Sequence, residues 1–265
     1  RKYNFHTMSN ISDKAIISPN AAIGSNVSVG PFSIIEDNVS IADNAEIHGS
    51  VLIHSGTTLS KGVRVFHSAI IGGEPQDLKF TGEVTTVEIG ENTVVREFAT
   101  ISRGTKARNK TVVGSNCYIM SYVHIPHDSI VGNNVILSNA INMGGHVVVD
   151  DWAIVGGMVG IHQFVHIGAH SFIAFSARVT QDVPPYVLAG GAPLGYKGLN
   201  VVGLKRRGFS DEQIRNIKNT YNLIYGPEYN ISDAIKAVKD TVPMTEEVQN
   251  IVTFIENSER GIIRK

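Results

Sequence analysis

The sequence is short of cysteine, of net charge and of long apolar runs, and each shortage excludes something. Cys117 is the lone cysteine among 265 residues, so no disulfide can form within the chain, as expected of a reducing compartment. Lys and Arg number 23 against 24 Asp and Glu, a formal charge of -1. A general nucleic-acid binder carries a basic excess, so no nucleic acid is expected as a partner. No apolar stretch reaches the length of a membrane span, and Arg1 to Thr7 lacks the hydrophobic stretch of a secretion signal. A cytoplasmic chain with no integral membrane segment is expected. Met8 reads as the natural start, and residues 1–7, His6 among them, as a leftover in front of it.

What the sequence has in quantity is a period of six. From Ala15 the hexads run AIISPN, AAIGSN, VSVGPF, SIIEDN, VSIADN and AEIHGS, and the third residue of each is aliphatic. Of the 28 slots from Ile17 to Val179, only Asp77, Glu83 and Ala107 lack Ile, Leu, Val or Met. Those three fall in two stretches of loop composition, 72–86 and 102–111. The residue two before each aliphatic is small or β-branched, as at Ala21, Val27, Ser33 and Val39. A period of six is neither helical nor a simple alternating strand. It describes a coil whose flat sides each use one hexad, with the large aliphatic inside and its smaller partner filling the corner. Gly24, Asn26, Gly30, Asp37 and Asn38 are expected to supply left-handed corner conformations. No coil buries its own face, so many must stack, about 4.8 Å apart.

After Val179 the period stops. Gln181–Asp182–Val183–Pro184–Pro185 reads as a breaker and 186–209 as an irregular connector. Ser210 then looks like an N-cap, and Ile214, Ile217, Tyr221 and Ile224 share one helical face, ended by Gly226–Pro227. Ser232 and Thr245 are expected to open two further helices. The division that follows is a β-helix over 8–192, with its two loops, and a connector with a small α-helical domain over 193–265.

Six histidines, at 124, 127, 146, 162, 166 and 170, fall inside the second half of the coils. With three hexads per coil, residues 18 apart stack, so His127 lies over Gly145 and Gly145 over Gln163, while Asp128 lies over His146. Such a cluster has two readings. Neutral imidazoles ligate zinc; alternatively, one imidazole takes a proton from a hydroxyl while its neighbours position substrate.

The stretches H-I-P-H-D (124–128), Q-D-L-K-F (76–80), G-G-H (144–146), H-Q-F (162–164), Q-D-V-P-P-Y (181–186) and G-L-K-R-R-G-F-S (203–210) closely resemble those of the bacterial UDP-N-acetylglucosamine O-acyltransferases of lipid A biosynthesis. The resemblance runs from about residue 10 to Arg264. Coil crossovers in parallel sheets are ordinarily right-handed; the hexapeptide pattern resembles the left-handed β-helix, a known exception. The resemblance implies a homotrimer with clefts between chains. It also implies transfer of a 3-hydroxyacyl chain from acyl carrier protein, whose phosphopantetheine arm delivers the donor, to the glucosamine 3-hydroxyl, with no bound cofactor and no metal. It implies His127 as general base, Asp128 as its orienting carboxylate and the Gly145 N–H as oxyanion donor. His124, His146, His162 and Gln163 then position substrate, Asp77 and Lys79 contact the sugar nucleotide or the acyl-pantetheine, and Asn200, Arg206 and Arg207 hold the phosphate or uridine end.

One position departs from the pattern. Where long-chain members carry glycine, this chain has Phe175, expected to shorten the acyl groove and favour chains of about C10–C12; Pro193 stands where a second measuring residue is often histidine. Four alternatives stay open: a 3-amino-sugar N-acyltransferase, a CoA-dependent hexapeptide acetyltransferase, a zinc enzyme using histidines between chains, and a non-catalytic solenoid.

Overall fold

A chain that turns a corner every six residues closes a triangle in three sides. The computed structural model shows this arrangement over residues 10–265; the expectations for residues 1–7, His6 and Met8 lie outside the described residues. Two-residue strands such as Ile34–Ile35, Ser40–Ile41 and Glu46–Ile47 occupy successive sides of a left-handed β-helix. The stacked coils form three sheets, of 11, nine and eight strands. The regular register steps by 18: Ile16 pairs with Ile34, and Ile34 with Leu52. Ile35, Ile41, Ile47 and Ile53 are at most 2% exposed and stack up the interior, with Val27, Val39, Ala45 and Val51 filling the corners. Each such aliphatic contributes about 1.5–3 kcal/mol of burial.

The prism has three edges. The first joins the nine-stranded sheet to the eight-stranded one, the second joins the eight-stranded to the 11-stranded, and the third joins the 11-stranded to the nine-stranded. Both insertions bulge from the first edge. There Ile89 pairs with Leu59 and with Val113, steps of 89 − 59 = 30 and 113 − 89 = 24 in place of 18. The surplus forms loop one, between strands Ile70–Gly73 and Thr86–Ile89, and loop two, between Thr100–Ser102 and Lys110–Val113.

At the regular edges from Asn26 to Ser176, the third residue after the inward aliphatic is left-handed, with φ between +56° and +81°. Asn26 and Asn38 hold this position as expected, but Gly24, Gly30 and Asp37 do not. The two glycines serve close packing: a Cβ on Gly24 would lie 2.7 Å from the Asp43 backbone nitrogen, and one on Gly30 would lie 2.6 Å from that of Gly49. The left-handed position is filled as readily by Phe32, Tyr122, Asp128, His146 and Trp152. On regular coils its N–H bonds to a carbonyl of the preceding coil, as from His146 to His127 at 3.1 Å and from Trp152 to Asn133 at 2.9 Å; beside loop two the Asp128 N–H bonds to the Thr111 hydroxyl instead. That ladder bond offsets the cost of about 1–2 kcal/mol for an L-residue in this conformation.

The breaker does not end the stack. Val183 bridges Ile167, and Val187–Gly190 pairs in parallel with Phe172–Ile173 before Gly195–Leu199 folds back against it as an antiparallel strand. Pro184 and Pro185 fall in a corner between the Val183 and Tyr186 N–H groups, which carry the ladder, so their missing donors cost nothing. The expected irregular connector is thus largely ordered and leads into α1 (Val201–Arg206). Next come α2 (Asp211–Ile224), opened by Ser210 in a capping box with Gln213, and α3 (Ile231–Thr241). Asn230, not Ser232, caps α3, because its side chain is the one that reaches the Asp233 N–H. Finally, α4 (Glu246–Glu256) follows Thr245. The helices dock on the end of the prism through Tyr221, whose hydroxyl donates to the Pro185 carbonyl at 2.6 Å, and through Asn250, which donates to Tyr186 Oη at 3.0 Å. Among the described residues no helix is long and apolar enough to cross a membrane.

Candidate active site

Strand His124–Ile125 feeds the first edge, so the next residues, Pro126, His127 and Asp128, make the corner itself. Asp128 takes the left-handed position, φ +59°, and is fully buried, while the His127 side chain is 12% exposed. Nδ1 of His127 lies 2.8 Å from Asp128 Oδ2. An ionised carboxylate only accepts, so Nδ1 carries the proton and Nε2 has a free lone pair. One coil further, Gly145 lies under the ring: a Cβ there would stand 2.6 Å from Nε2 and 2.5 Å from Cε1. Only glycine lets the imidazole settle on this backbone. The Gly145 N–H engages no partner among the described residues.

His146 follows at φ +64°, edge-on to the His127 ring at 5.2 Å and stacked on Phe164 at 4.5 Å. Its Nε2 is 3.7 Å from Asp128 Oδ2. Burial holds the His146 imidazole below its ordinary pKa; Asp128 and Asp77 oppose that, and His127 and Arg108 reinforce it. His124, on the strand before the corner, meets Thr100 Oγ1 at 2.7 Å and is likewise pushed down, first by burial and then by His127. Burial would raise the Asp128 carboxyl, but hydrogen bonds from Thr105 and His127 outweigh it and hold the group below the usual carboxylate range.

His127, Asp128 and His146 bring ligand atoms within 4.8 Å of one another, a spacing a metal ion could use. The donor set does not suit one. Asp128 already accepts four hydrogen bonds, from Thr105 N–H and O–H, the Arg108 N–H and His127. The Arg108 guanidinium, bonded to the Asp128 carbonyl at 2.8 Å, adds a further positive charge beside the cluster. The arrangement suits movement of a proton at His127 Nε2.

The remaining sequence candidates divide by edge. Gln163 and His162 are exposed on the first edge one coil beyond Gly145, with His162 Nδ1 3.2 Å from the Gln163 carbonyl. Asp77 and the exposed Lys79 sit on loop one, above the same edge; Asp77 accepts from the Lys79 N–H at 3.0 Å. Asn200, Arg206 and Arg207 lie instead at the second edge. Asn200 caps α1 and donates to the His170 carbonyl at 3.0 Å, Arg206 is exposed, and the Arg207 guanidinium lies 5.3 Å over the Trp152 ring. Phe175 is on the third edge, 67% exposed. Within one chain, then, the base cluster, the basic pair and the aromatic ring occupy three different edges.

Sequence reasoning passed over Thr100, Thr105, Arg108 and Phe164. Phe164 falls 18 residues after His146 and was readable from the period. The other three depend on the course of the irregular loop or on the widened register beside it, which no period encodes.

Residues 182–263 match the family described as Udp N-acetylglucosamine O-acyltransferase, Domain 2, and residues 110–139 match the bacterial transferase hexapeptide repeats. The acyl-[acyl-carrier-protein]--UDP-N-acetylglucosamine O-acyltransferase of Paracidovorax citrulli is 46% identical over 206 residues, spanning 76% of this chain and 79% of that one. The protein of the same description from Verminephrobacter eiseniae is 40% identical over 214 residues, 78% of this chain and 81% of that one. Among solved structures, the UDP-N-acetylglucosamine acyltransferase from Bacteroides fragilis superposes with a TM-score of 0.93 at 46% identity, over 96% of this chain and 99% of that one. The Arabidopsis protein reaches 0.82 at 30% identity, over 96% and 100%.

Proposed function

The chain belongs to the acyl-[acyl-carrier-protein]--UDP-N-acetylglucosamine O-acyltransferase family, and on that premise we propose that His127 is the general base of its acyl transfer. The enzyme moves an acyl group from acyl carrier protein to UDP-N-acetylglucosamine in lipid A biosynthesis. The acceptor in this reading is the glucosamine 3-hydroxyl, a weak nucleophile while neutral. His127 Nε2 removes its proton as the oxygen attacks the thioester carbonyl of a 3-hydroxyacyl chain. A C–O bond forms, and the negative charge on the former carbonyl oxygen is met by the Gly145 N–H. Collapse breaks the C–S bond, and the proton on Nε2 passes to the departing pantetheine thiolate. Asp128 stays ionised throughout, accepting from Nδ1–H and stabilising the transient imidazolium.

The carrying observation is the pair of His127 and Asp128, 2.8 Å apart, with the carboxylate sealed from water and Nε2 over Gly145. His124, His146, His162 and Gln163 line the acceptor side, with Asp77 and Lys79 above them. Asn200, Arg206 and Arg207 take the phosphate or uridine end across a boundary between chains, because within one chain the width of the eight-stranded sheet separates the first edge from the second. A homotrimer with composite clefts meets that need, and the same sharing brings Phe175 of a neighbouring chain against the acyl group. Along the axis, 48 residues separate Phe175 from His127; at 18 per coil and about 4.8 Å per coil this is about 13 Å, comparable to a chain of about ten carbons.

In an assay with UDP-N-acetylglucosamine and a 3-hydroxyacyl carrier protein, His127→Ala is expected to lower kcat by about 10²–10⁴. Calorimetric binding of the sugar nucleotide should persist. Turnover near the parental rate sinks the assignment.

A further inference from the structure

On regular coils the left-handed corner residue sends its N–H to a carbonyl of the preceding coil. Asp128 cannot do so, because loop two replaces that corner. Its N–H goes instead to the hydroxyl of Thr111 at 2.9 Å. The loop then closes over the carboxylate. The Thr105 and Arg108 N–H groups donate to Oδ1 at 3.0 and 3.1 Å, and the Thr105 hydroxyl donates to Oδ2 at 2.7 Å. Oδ2 is the oxygen that accepts from His127 Nδ1. Thr105 is buried, 6% exposed, and its hydroxyl oxygen also accepts the Ala107 N–H at 3.2 Å, which fixes the rotor so that its proton points at Asp128. A carboxylate gripped at both oxygens cannot swing about its Cβ–Cγ bond.

We infer that Thr105 is a positioning residue for acyl transfer: its hydroxyl and N–H hold the Asp128 carboxylate against Nδ1 of the His127 imidazole, so that loop two sets the tautomer and aim of the base. The inference rests on the reading of His127 as that base. It gives the second insertion a task on the acceptor side of the reaction, distinct from spacing the coils. Four other ionisable groups face the pair: His146 on the next coil, His124 on the preceding strand, Arg108 on loop two and Asp77 on loop one. None of them supplies a donor to Oδ2 as close as Thr105, so none replaces its hydroxyl.

The test compares Thr105→Val, Thr105→Ser and His127→Ala, each as the full chain, by kcat, KM and the pH profile. Thr105→Val keeps the shape and removes the O–H. With one donor fewer, Oδ2 concentrates more charge opposite Nδ1 and favours the imidazolium. The expected result is a kcat about tenfold lower, a KM for UDP-N-acetylglucosamine within about twofold, and an acid limb displaced to higher pH. Thr105→Ser restores all three. Should Thr105→Val not fold, Thr105→Ala removes the same hydroxyl without the crowding and is read in the same way. A parental kcat and pH profile in the hydroxyl-less variants, with His127→Ala inactive, overturns the positioning role and leaves the base intact. Loss of kcat and KM together with no rescue by serine also overturns it, in favour of a merely structural threonine. An active His127→Ala removes the base reading itself, and this inference with it.

Discussion

The first and second edges of the prism share a backbone and differ in almost everything hung on it. Along most of the second edge, Asn26, Asn44, Gly62, Asn92, Asn116 and Asn134 hold the left-handed position in coil after coil, before Trp152 and His170 take it at the far end, and the Asn26 side chain donates to that of Asn44 at 3.1 Å. Asparagine is a comfortable occupant of that conformation. Along the first edge the same position passes from Asn38 and Gly56, across two inserted loops, to Asp128, His146 and Phe164. None of these three is chosen for backbone ease. A bond from the backbone N–H, to the ladder at His146 and Phe164 and to the Thr111 hydroxyl at Asp128, pays for the conformation, so the side chain is released for chemistry. An edge of a β-helix is therefore a row of fixed attachment points, and departure from asparagine marks where the row is used.

The sharpest way to break this contrast is to make the first edge ordinary. Gly145→Ala puts a methyl where the His127 ring lies, at 2.5–2.6 Å from two of its atoms. The backbone has no need of glycine there, since its φ is not in the left-handed region. The expected outcome is a kcat lower by about 10²-fold from a displaced base, with the melting temperature little changed. Activity near parental would mean that the ring yields freely, and that its seat on Gly145 matters less than the geometry suggests.

A second effect belongs to the third edge. Phe175→Gly should lengthen the preferred acyl chain, read as a ratio of kcat/KM between C14 and C10 donors that rises at least about tenfold. An unchanged ratio would retire the ring as a measure of length. The experiment also sharpens the comparison of edges, because Phe175 can act on the acyl group only if a neighbouring chain presents it.

Acid should act on the first edge and on the His170 end of the second, and spare the asparagines from Asn26 to Asn134. Burial, helped by the Arg207 charge, lowers the His170 pKa to about 4, and burial depresses His124 and His146 as well. Each therefore binds fewer protons folded than unfolded, so stability rises with pH through this range. For His170 the loss begins as pH falls below about 6.5, where the unfolded imidazole protonates, and is complete below about 4. Asp128, held low, adds to the loss at the acid end of the window. Urea midpoints should fall between pH 7 and pH 4.5, and His170→Phe should flatten part of that fall. An unaltered slope in the variant would show that His170 carries none of it.

The sequence carried the coils because one inward aliphatic per hexad is a simple code, and it carried His127 over Gly145 because 18 residues per coil is arithmetic. It hid the use of Thr105 and Arg108, since a loop that abandons the period can be followed only in three dimensions. It also misled over Gln181–Pro185. Prolines stop a ladder only where a donor is required, and here the donors at Val183 and Tyr186 bracket them. Composition misassigned Gly24 and Gly30 for a related reason: glycine serves both left-handed turns and close approach, and spacing alone does not say which.

The smallest expected effect tests the premise of the comparison, that asparagine on the second edge is there for conformation. Asn44→Ala keeps the ladder N–H to the Ser25 carbonyl at 2.9 Å but loses both the left-handed preference and the bond to Asn26. The loss should be about 1 kcal/mol, a few degrees of melting temperature. Asn44→Gly also loses the bond to Asn26, yet adopts φ +59° without strain, so its cost should be smaller. Neither should alter kcat, since this coil lies far from His127 along the stack. If alanine and glycine cost the same, the side-chain bond and not the backbone preference is what asparagine provides. The freedom of Asp128 and His146 to occupy the same conformation would then need another source.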